Sequence, residues 1–137
     1  MKIIKVNGAS GKSNTDLSAK FKAAKQALRK YDFVFLHIKA TDSLAEDGNY
    51  EGKREFIEKV DQYMDLTEEL KHALVVVTCD HSTCSLKKRH CSLPCPILVF
   101  GNGRDDIKSF SEKLCQQGGL RTMKQIDLME NLVVLAR

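Results

Sequence analysis

No stretch of this 137-residue sequence approaches the roughly 18–20 consecutive apolar residues that cross a bilayer, so a membrane-spanning helix and a membrane partner are not expected. The opening Met1-Lys2-Ile3-Ile4-Lys5-Val6 is too short and too charged for the apolar core of a secretory leader, which points to the cytoplasm. There is no internal repeat, no low-complexity tract and no linker, so 1–137 is expected to be a single domain. A large charge of one sign is lacking too. The 22 basic and 18 acidic residues are spread along the chain and leave a net charge of +4, a mildly basic surface without the concentrated cationic face of a nucleic-acid binder. Of the five cysteines, an odd number, four crowd between Cys79 and Cys95 beside histidines; this suits thiols in a reducing compartment better than a disulfide framework.

What is present is an ordinary globular composition, 42% hydrophobic and 29% charged, in a chain long enough to bury a core. Met1 to Val6 reads as a short strand and the polar stretch from Asn7 to Asn14 as a loop. Asn14 or Thr15 can cap a helix on which Leu17, Phe21, Ala24 and Leu28 fall at helical spacing, running to Lys30. The run Phe33-Val34-Phe35-Leu36-His37-Ile38 has the continuous apolarity of a strand buried on both faces. A loop from Lys39 to Asn49 precedes a helical period from Glu51 to His72. Strands follow at 73–78 and 96–100, separated by a Cys/His-rich loop, and short helices at 109–117 and 123–135 end the chain. This alternation predicts an α/β fold, a mostly parallel sheet flanked by helices.

In such sheets, ligands gather beyond the carboxyl ends of the strands. The segment after Ile38 offers Asp42 and Glu46. The segment after Thr78 offers Asp80 and His81, with His90 soon after. Oxygen and imidazole donors of this kind suit manganese, zinc or magnesium, and Lys39, Lys87 and Arg89 nearby favour a small phosphorylated ligand. Two rival readings are weaker. Cys79, His81, Cys84, His90, Cys91 and Cys95 could hold a structural zinc ion, but their spacing fits no familiar zinc motif. Gly8-Ala9-Ser10-Gly11-Lys12-Ser13 has the end of a phosphate-cradling loop, yet Val6 stands where its first glycine belongs.

The run Val75-Val76-Val77-Thr78-Cys79-Asp80-His81-Ser82-Thr83, with Ser85-Leu86-Lys87, His90 and Pro94-Cys95-Pro96-Ile97-Leu98-Val99, resembles the metal-binding signature of archaeal-type cofactor-independent phosphoglycerate mutases, members of the alkaline phosphatase superfamily. Gly8-Ala9-Ser10-Gly11, Thr15-Asp16-Leu17, Tyr31-Asp32-Phe33-Val34-Phe35, His37-Ile38-Lys39-Ala40-Thr41-Asp42, Asp47-Gly48-Asn49 and the tail around Cys115, Gly118-Gly119-Leu120, Asp127 and Met129 are similar as well. The resemblance implies an alkaline-phosphatase-like C-terminal portion and interconversion of 2- and 3-phosphoglycerate in glycolysis, through a phosphoserine and two divalent ions. It assigns Asp42 and His90 to one ion and Asp80 with His81 to the other. Glu46 departs from it, standing where the family has histidine, and leaves open whether one ion binds or two. The family's nucleophilic serine, a further metal-binding aspartate and its inserted domain precede the part matched by Met1. Ser82, Ser85 and Ser92 do not match that nucleophile, so no catalytic residue is assigned. The resemblance thus implies a truncated or split form, inactive alone, that self-associates or pairs with a missing half; the alternative is a non-catalytic metal- or partner-binding module that kept the fold.

Overall fold

The computed structural model describes residues 1–64, 70 and 72–136, which separate into two compact units. The first takes in Met1–Asp65 and Thr83–His90, the second Leu66–Ser82 and Cys91–Arg137.

Three helices build the first unit. Helix α1, Leu17–Leu28, carries the apolar spacing expected of it, but its cap is Asp16, whose carboxylate accepts from the Ala19 N–H at 2.9 Å. Asn14 and Thr15, the expected caps, are displaced for a local reason. The Thr15 hydroxyl accepts from the Ser10 N–H at 2.9 Å, which commits it to the preceding loop and buries it. Helix α2, Ala40–Glu46, occupies what was expected to be a loop. Its Ala40 and Ala45 are buried, small enough to bring the helix close against its neighbours. Helix α3, Tyr50–Asp61, opens on Asn49, whose side chain accepts from the Gly52 N–H at 2.9 Å, with Glu51 in its first turn and Lys59 in its last, each complementing the helix dipole. The expected helix ran further, to His72; of its later positions, 65–69 and 71 lie outside the described residues.

Leu17, Ala40 and Phe56 form the buried centre of this unit, with Phe21, Ile38, Leu44, Val60 and Tyr63 packed around them. The Phe21 and Tyr63 rings stack with centroids 5.7 Å apart. Burying side chains as large as Leu17 and Phe56 contributes about 1.5–3 kcal/mol each, enough to hold α1, α2 and α3 together.

The second unit contains β1, Val75–Val77, and β4, Leu98–Phe100, paired antiparallel with Val76 opposite Val99. Short helix α4, Glu112–Cys115, is capped by the Ser111 hydroxyl, and α5, Leu128–Leu135, follows a single 3-10 turn at Gln125–Asp127. The Asn102 amide donates to the Leu135 carbonyl, meeting one of the unpaired acceptors at the end of α5.

Between β1 and β4 the Cys/His-rich segment folds into two further strands, β2, Ser82–Cys84, and β3, Arg89–Cys91, that pair with each other. Their turn is closed by a hydrogen bond from the Lys87 N–H to the Cys84 carbonyl, 3.1 Å, and has Lys88 in the left-handed region at φ 50°.

The chain is α/β, but the β1–β4 ladder is antiparallel where a mostly parallel sheet was expected. The runs 1–6 and 33–38, read as strands from their apolarity, join no ladder among the described residues, and Ile3, Ile4, Phe33 and Phe35 stay exposed. Apolar β-branched and aromatic residues favour a pleated surface, but a strand also needs a backbone partner about 4.8 Å away. Among the described residues no helix is long and apolar enough to cross a membrane.

Candidate metal centre

In the first unit, three expected ligands come together. Asp42 lies in the first turn of α2 and Glu46 one turn later, four residues on, so both carboxylates share one face while Ala40 and Ala45 turn to the core. On β3, His90 brings its Nε2 to 3.6 Å from Asp42 Oδ1 and 3.7 Å from Glu46 Oε1. These distances are too long for hydrogen bonds. They lie close to the edge of a coordination tetrahedron, since two donors bound at about 2.1 Å to one tetrahedral ion stand about 3.4 Å apart. Asp42 with His90 thus has the spacing of two ligands of one divalent cation, whereas Glu46, though near His90, joins no group of three donors within 4.8 Å of one another among the described residues.

Asp42 is further fixed at both oxygens. The Thr83 hydroxyl donates to Oδ1 at 2.6 Å, within the short range of a charge-assisted bond, and Lys39 Nζ stands 2.7 Å from Oδ2. Thr83, buried at the centre of β2, is itself anchored, because Lys53 on α3 donates to its carbonyl at 3.0 Å. The carboxylate is mostly shielded from solvent at 15% exposure, whereas Glu46 and His90 are about half exposed. The site is therefore rigid on its α2 side and open where a ligand would enter.

In the second unit, Asp80 and His81 follow β1, with His81 Nε2 3.6 Å from Asp80 Oδ2. Gln125 donates to the Asp80 carbonyl at 3.3 Å, and the Ser82 hydroxyl donates to the Leu93 carbonyl at 3.2 Å, so this short segment is held by side chains at its start and its end. Both donors are accessible, with His81 35% exposed and Asp80 74%.

The sequence did not single out Thr83 or Lys53 for this site. A threonine inside a donor-rich loop carried a signal for the first; nothing about Lys53 distinguishes it from its neighbours. The cysteines form no group of three metal donors among the described residues. Lys12 and Ser13 precede α1, as expected from the broken glycine pattern, and Lys12 N–H is instead taken by the Ser10 hydroxyl at 3.3 Å.

Comparison with known proteins places this geometry in context. The family model of the Metalloenzyme superfamily matches residues 1–134. The chain belongs to the Metalloenzyme superfamily. Among its relatives, the 2,3-bisphosphoglycerate-independent phosphoglycerate mutase 1 of Archaeoglobus fulgidus is 43% identical over 131 residues, covering 93% of this chain and 32% of that protein. The enzyme of the same name from Methanocaldococcus jannaschii is 37% identical over 138 residues, 97% of this chain and 34% of its own. The solved structure of the PH0037 protein from Pyrococcus horikoshii superposes with a TM-score of 0.91 at 34% identity, over 98% of this chain and 42% of that one. This Metalloenzyme-superfamily chain thus spans about a third of the length of the curated relatives it matches. The resemblance read from its motifs to archaeal cofactor-independent phosphoglycerate mutases holds along nearly all of it.

Proposed function

We propose that this chain is the metal-bearing part of an enzyme related to phosphoglycerate mutases, with Asp42, Glu46 and His90 holding one divalent ion and Asp80 with His81 serving the other. The observation that carries this reading is the approach of two carboxylates to one imidazole nitrogen at 3.6 and 3.7 Å in a chain 43% identical to such a mutase. Glu46 in place of a histidine makes the first site richer in hard oxygen donors, which favours manganese or magnesium, while zinc is retained through His90. A bound divalent ion supplies Lewis-acid neutralisation of phosphoryl oxygens. The protein's own residues orient and attract. Thr83 fixes the plane of the Asp42 carboxylate, and Arg89 and Lys87, exposed beside His90 in sequence, draw a phosphorylated substrate such as phosphoglycerate.

The nucleophile is not among these residues. Ser82 has its hydroxyl engaged with the Leu93 carbonyl, and the motif resemblance implies a nucleophile position that neither Ser85 nor Ser92 matches. Residues 1–137 alone therefore do not turn over phosphoglycerate. Activity needs the remaining two-thirds of the relatives' length, in the same polypeptide or as a partner, and the cytoplasm is the setting for that glycolytic step. The exposed apolar segments around Ile3, Ile4, Phe33 and Phe35 are where that part, or a second copy, would dock.

The test is calorimetric titration of metal-free protein with manganese and with zinc, for the native chain and for His90→Ala and Asp42→Asn variants, alongside a phosphoglycerate turnover assay. The expected result is binding that weakens at least tenfold in each variant, with no turnover. Absence of binding by the native chain would leave a non-catalytic module that kept only the fold, and turnover by this polypeptide alone would overturn the missing-nucleophile part of the proposal.

A further inference from the structure

A concavity of about 260 Å³ in the first unit adjoins the metal centre through Lys39 and contains none of its ligands. Ala9, Ser10 and Gly11 of the glycine-rich loop, Lys20 of α1, and His37 and Lys39 of the segment entering α2 line it. Pockets that enclose drug-sized molecules run to roughly 300–1,000 Å³, so this one fits a single small group and not a nucleotide. No carboxylate lines it, and both of its lysines are cationic. Asp16, one turn before Lys20, is committed to the Ala19 N–H at 2.9 Å, and Asp42 has Lys39 Nζ 2.7 Å from its Oδ2. Lys20 is half-buried and, among the described residues, has no hydrogen bond or ion pair. An ammonium held partly out of water beside a concavity, with no counter-charge, attracts an anion into it.

The other wall residues supply donors. The Ser10 hydroxyl is engaged on both sides, donating to Asn14 Oδ1 at 3.2 Å and accepting from the Lys12 N–H at 3.3 Å, which fixes the loop. The Gly11 N–H has no protein acceptor among the described residues. The Lys39 stem lies across Gly11, with its Cδ 3.6 Å from where a side chain there would begin. His37 stacks on Phe35 with ring centroids 6.3 Å apart, and in either neutral tautomer it donates one ring N–H. The Gly8–Ser13 run, broken as a nucleotide-cradling loop, thus forms one side of a smaller seat.

We propose that this concavity seats the phosphoryl group of a small phosphomonoester. The Lys20 ammonium is its principal counter-charge, the Gly11 N–H and His37 imidazole donate to its oxygens, and Lys39 covers the nearby Asp42 carboxylate that would repel it. Donors on the loop, on α1 and on the segment before α2 suit an oxyanion with three free oxygens better than a planar carboxylate with two. The seat goes beyond the metal reading, because none of its groups is a proposed metal ligand and its test uses metal-free protein.

The experiment titrates the native, metal-free chain with glycerol phosphate, with inorganic phosphate and with acetate at one constant ionic strength, reading the Gly11 and Lys20 amide signals by NMR. Both phosphates should bind saturably in the millimolar range, and acetate should not. Lys20→Met, which keeps the aliphatic stem, should weaken phosphate binding at least fivefold, and Lys20→Arg should retain it. Amide signals away from the loop, read in the same spectra, separate loss of the seat from loss of the fold. His37→Ala, at an exposed position, is the second probe and should weaken binding at least twofold. Lys30→Met removes the same charge beyond the far end of α1 and should leave the affinity unchanged. Acetate binding as tightly as phosphate, an equal loss in Lys30→Met, or no saturation by either phosphate would overturn the seat. Saturation by inorganic phosphate alone would overturn its assignment to phosphomonoesters.

Discussion

Replacing Thr83 by Val removes one hydroxyl and almost nothing else, which makes it the sharpest probe of the α2–β2 contact. The lost bond is the 2.6 Å donation to Asp42 Oδ1, made from a side chain buried in the first unit to a carboxylate that is 15% exposed. Hydrogen bonds to charged groups contribute about 1.5–3 kcal/mol, and the residual solvent contact of Asp42 together with the nearby Lys39 ammonium puts the cost toward the low end, about 1.5–2 kcal/mol. With a urea dependence of about 1.5–2 kcal/mol per molar, the unfolding midpoint should fall by roughly 1 M. Thr83→Ser, which keeps the hydroxyl and loses a methyl, should fall by less. In calorimetry the Val variant should also bind manganese about 10–100-fold more weakly, the usual effect of removing a group that orients a metal ligand. A Val variant with the native urea midpoint would refute the energetic reasoning whatever happened to metal binding.

Two further outcomes test separate parts of the chain. Asp16→Ala removes the cap of α1 and should cost about 1 kcal/mol in denaturant unfolding, with Asp16→Asn recovering most of it; loss of the same size in both would place the effect in charge and not in capping. Asp105 accepts from the Gly119 and Ile107 N–H groups, which hold its carboxyl below the ordinary 3.8. A carboxyl lowered in the folded state adds stability above its unfolded value and loses it as pH falls through the folded one, so in acid melts the advantage of native protein over Asp105→Asn should shrink as pH falls below the ordinary carboxylate value, and a constant gap would contradict the assignment.

The amino-acid pattern revealed helices better than strands, and donor types better than the groups that orient them. Leu17, Phe21 and Leu28 announced α1, yet the cap expected at Asn14 or Thr15 falls at Asp16, because the Ser10–Thr15 bond commits Thr15 to the preceding loop. Helix α2 was hidden because Asp42 and Ser43 favour loops by local propensity, while the burial of Ala40 and Ala45 that holds it helical is a tertiary effect. The β2–β3 pairing was invisible for a related reason: Ser82-Thr83-Cys84 and Arg89-His90-Cys91 show no apolar alternation. At the site, carboxylate and imidazole chemistry named Asp42, Glu46 and His90, which the first unit gathers, and Asp80 with His81, neighbours in the second. Thr83 needed the fold, because only the packing of β2 by Lys53 aims its hydroxyl at α2.

On the proposed reading, the 2.7 Å contact between Lys39 and Asp42 Oδ2 would make cation uptake through that oxygen an exchange. A divalent ion that takes this oxygen must displace an ammonium already there, so the measured affinity is a difference between two cations competing for one carboxylate. The displaced lysine, 51% exposed, returns to solvent, where dissolved salt screens its attraction back to Asp42. Added monovalent salt then has two opposed effects, weakening the incoming ion's long-range attraction while loosening the incumbent, and the salt dependence of binding should be shallower in the native chain than in Lys39→Met, where only the first effect remains.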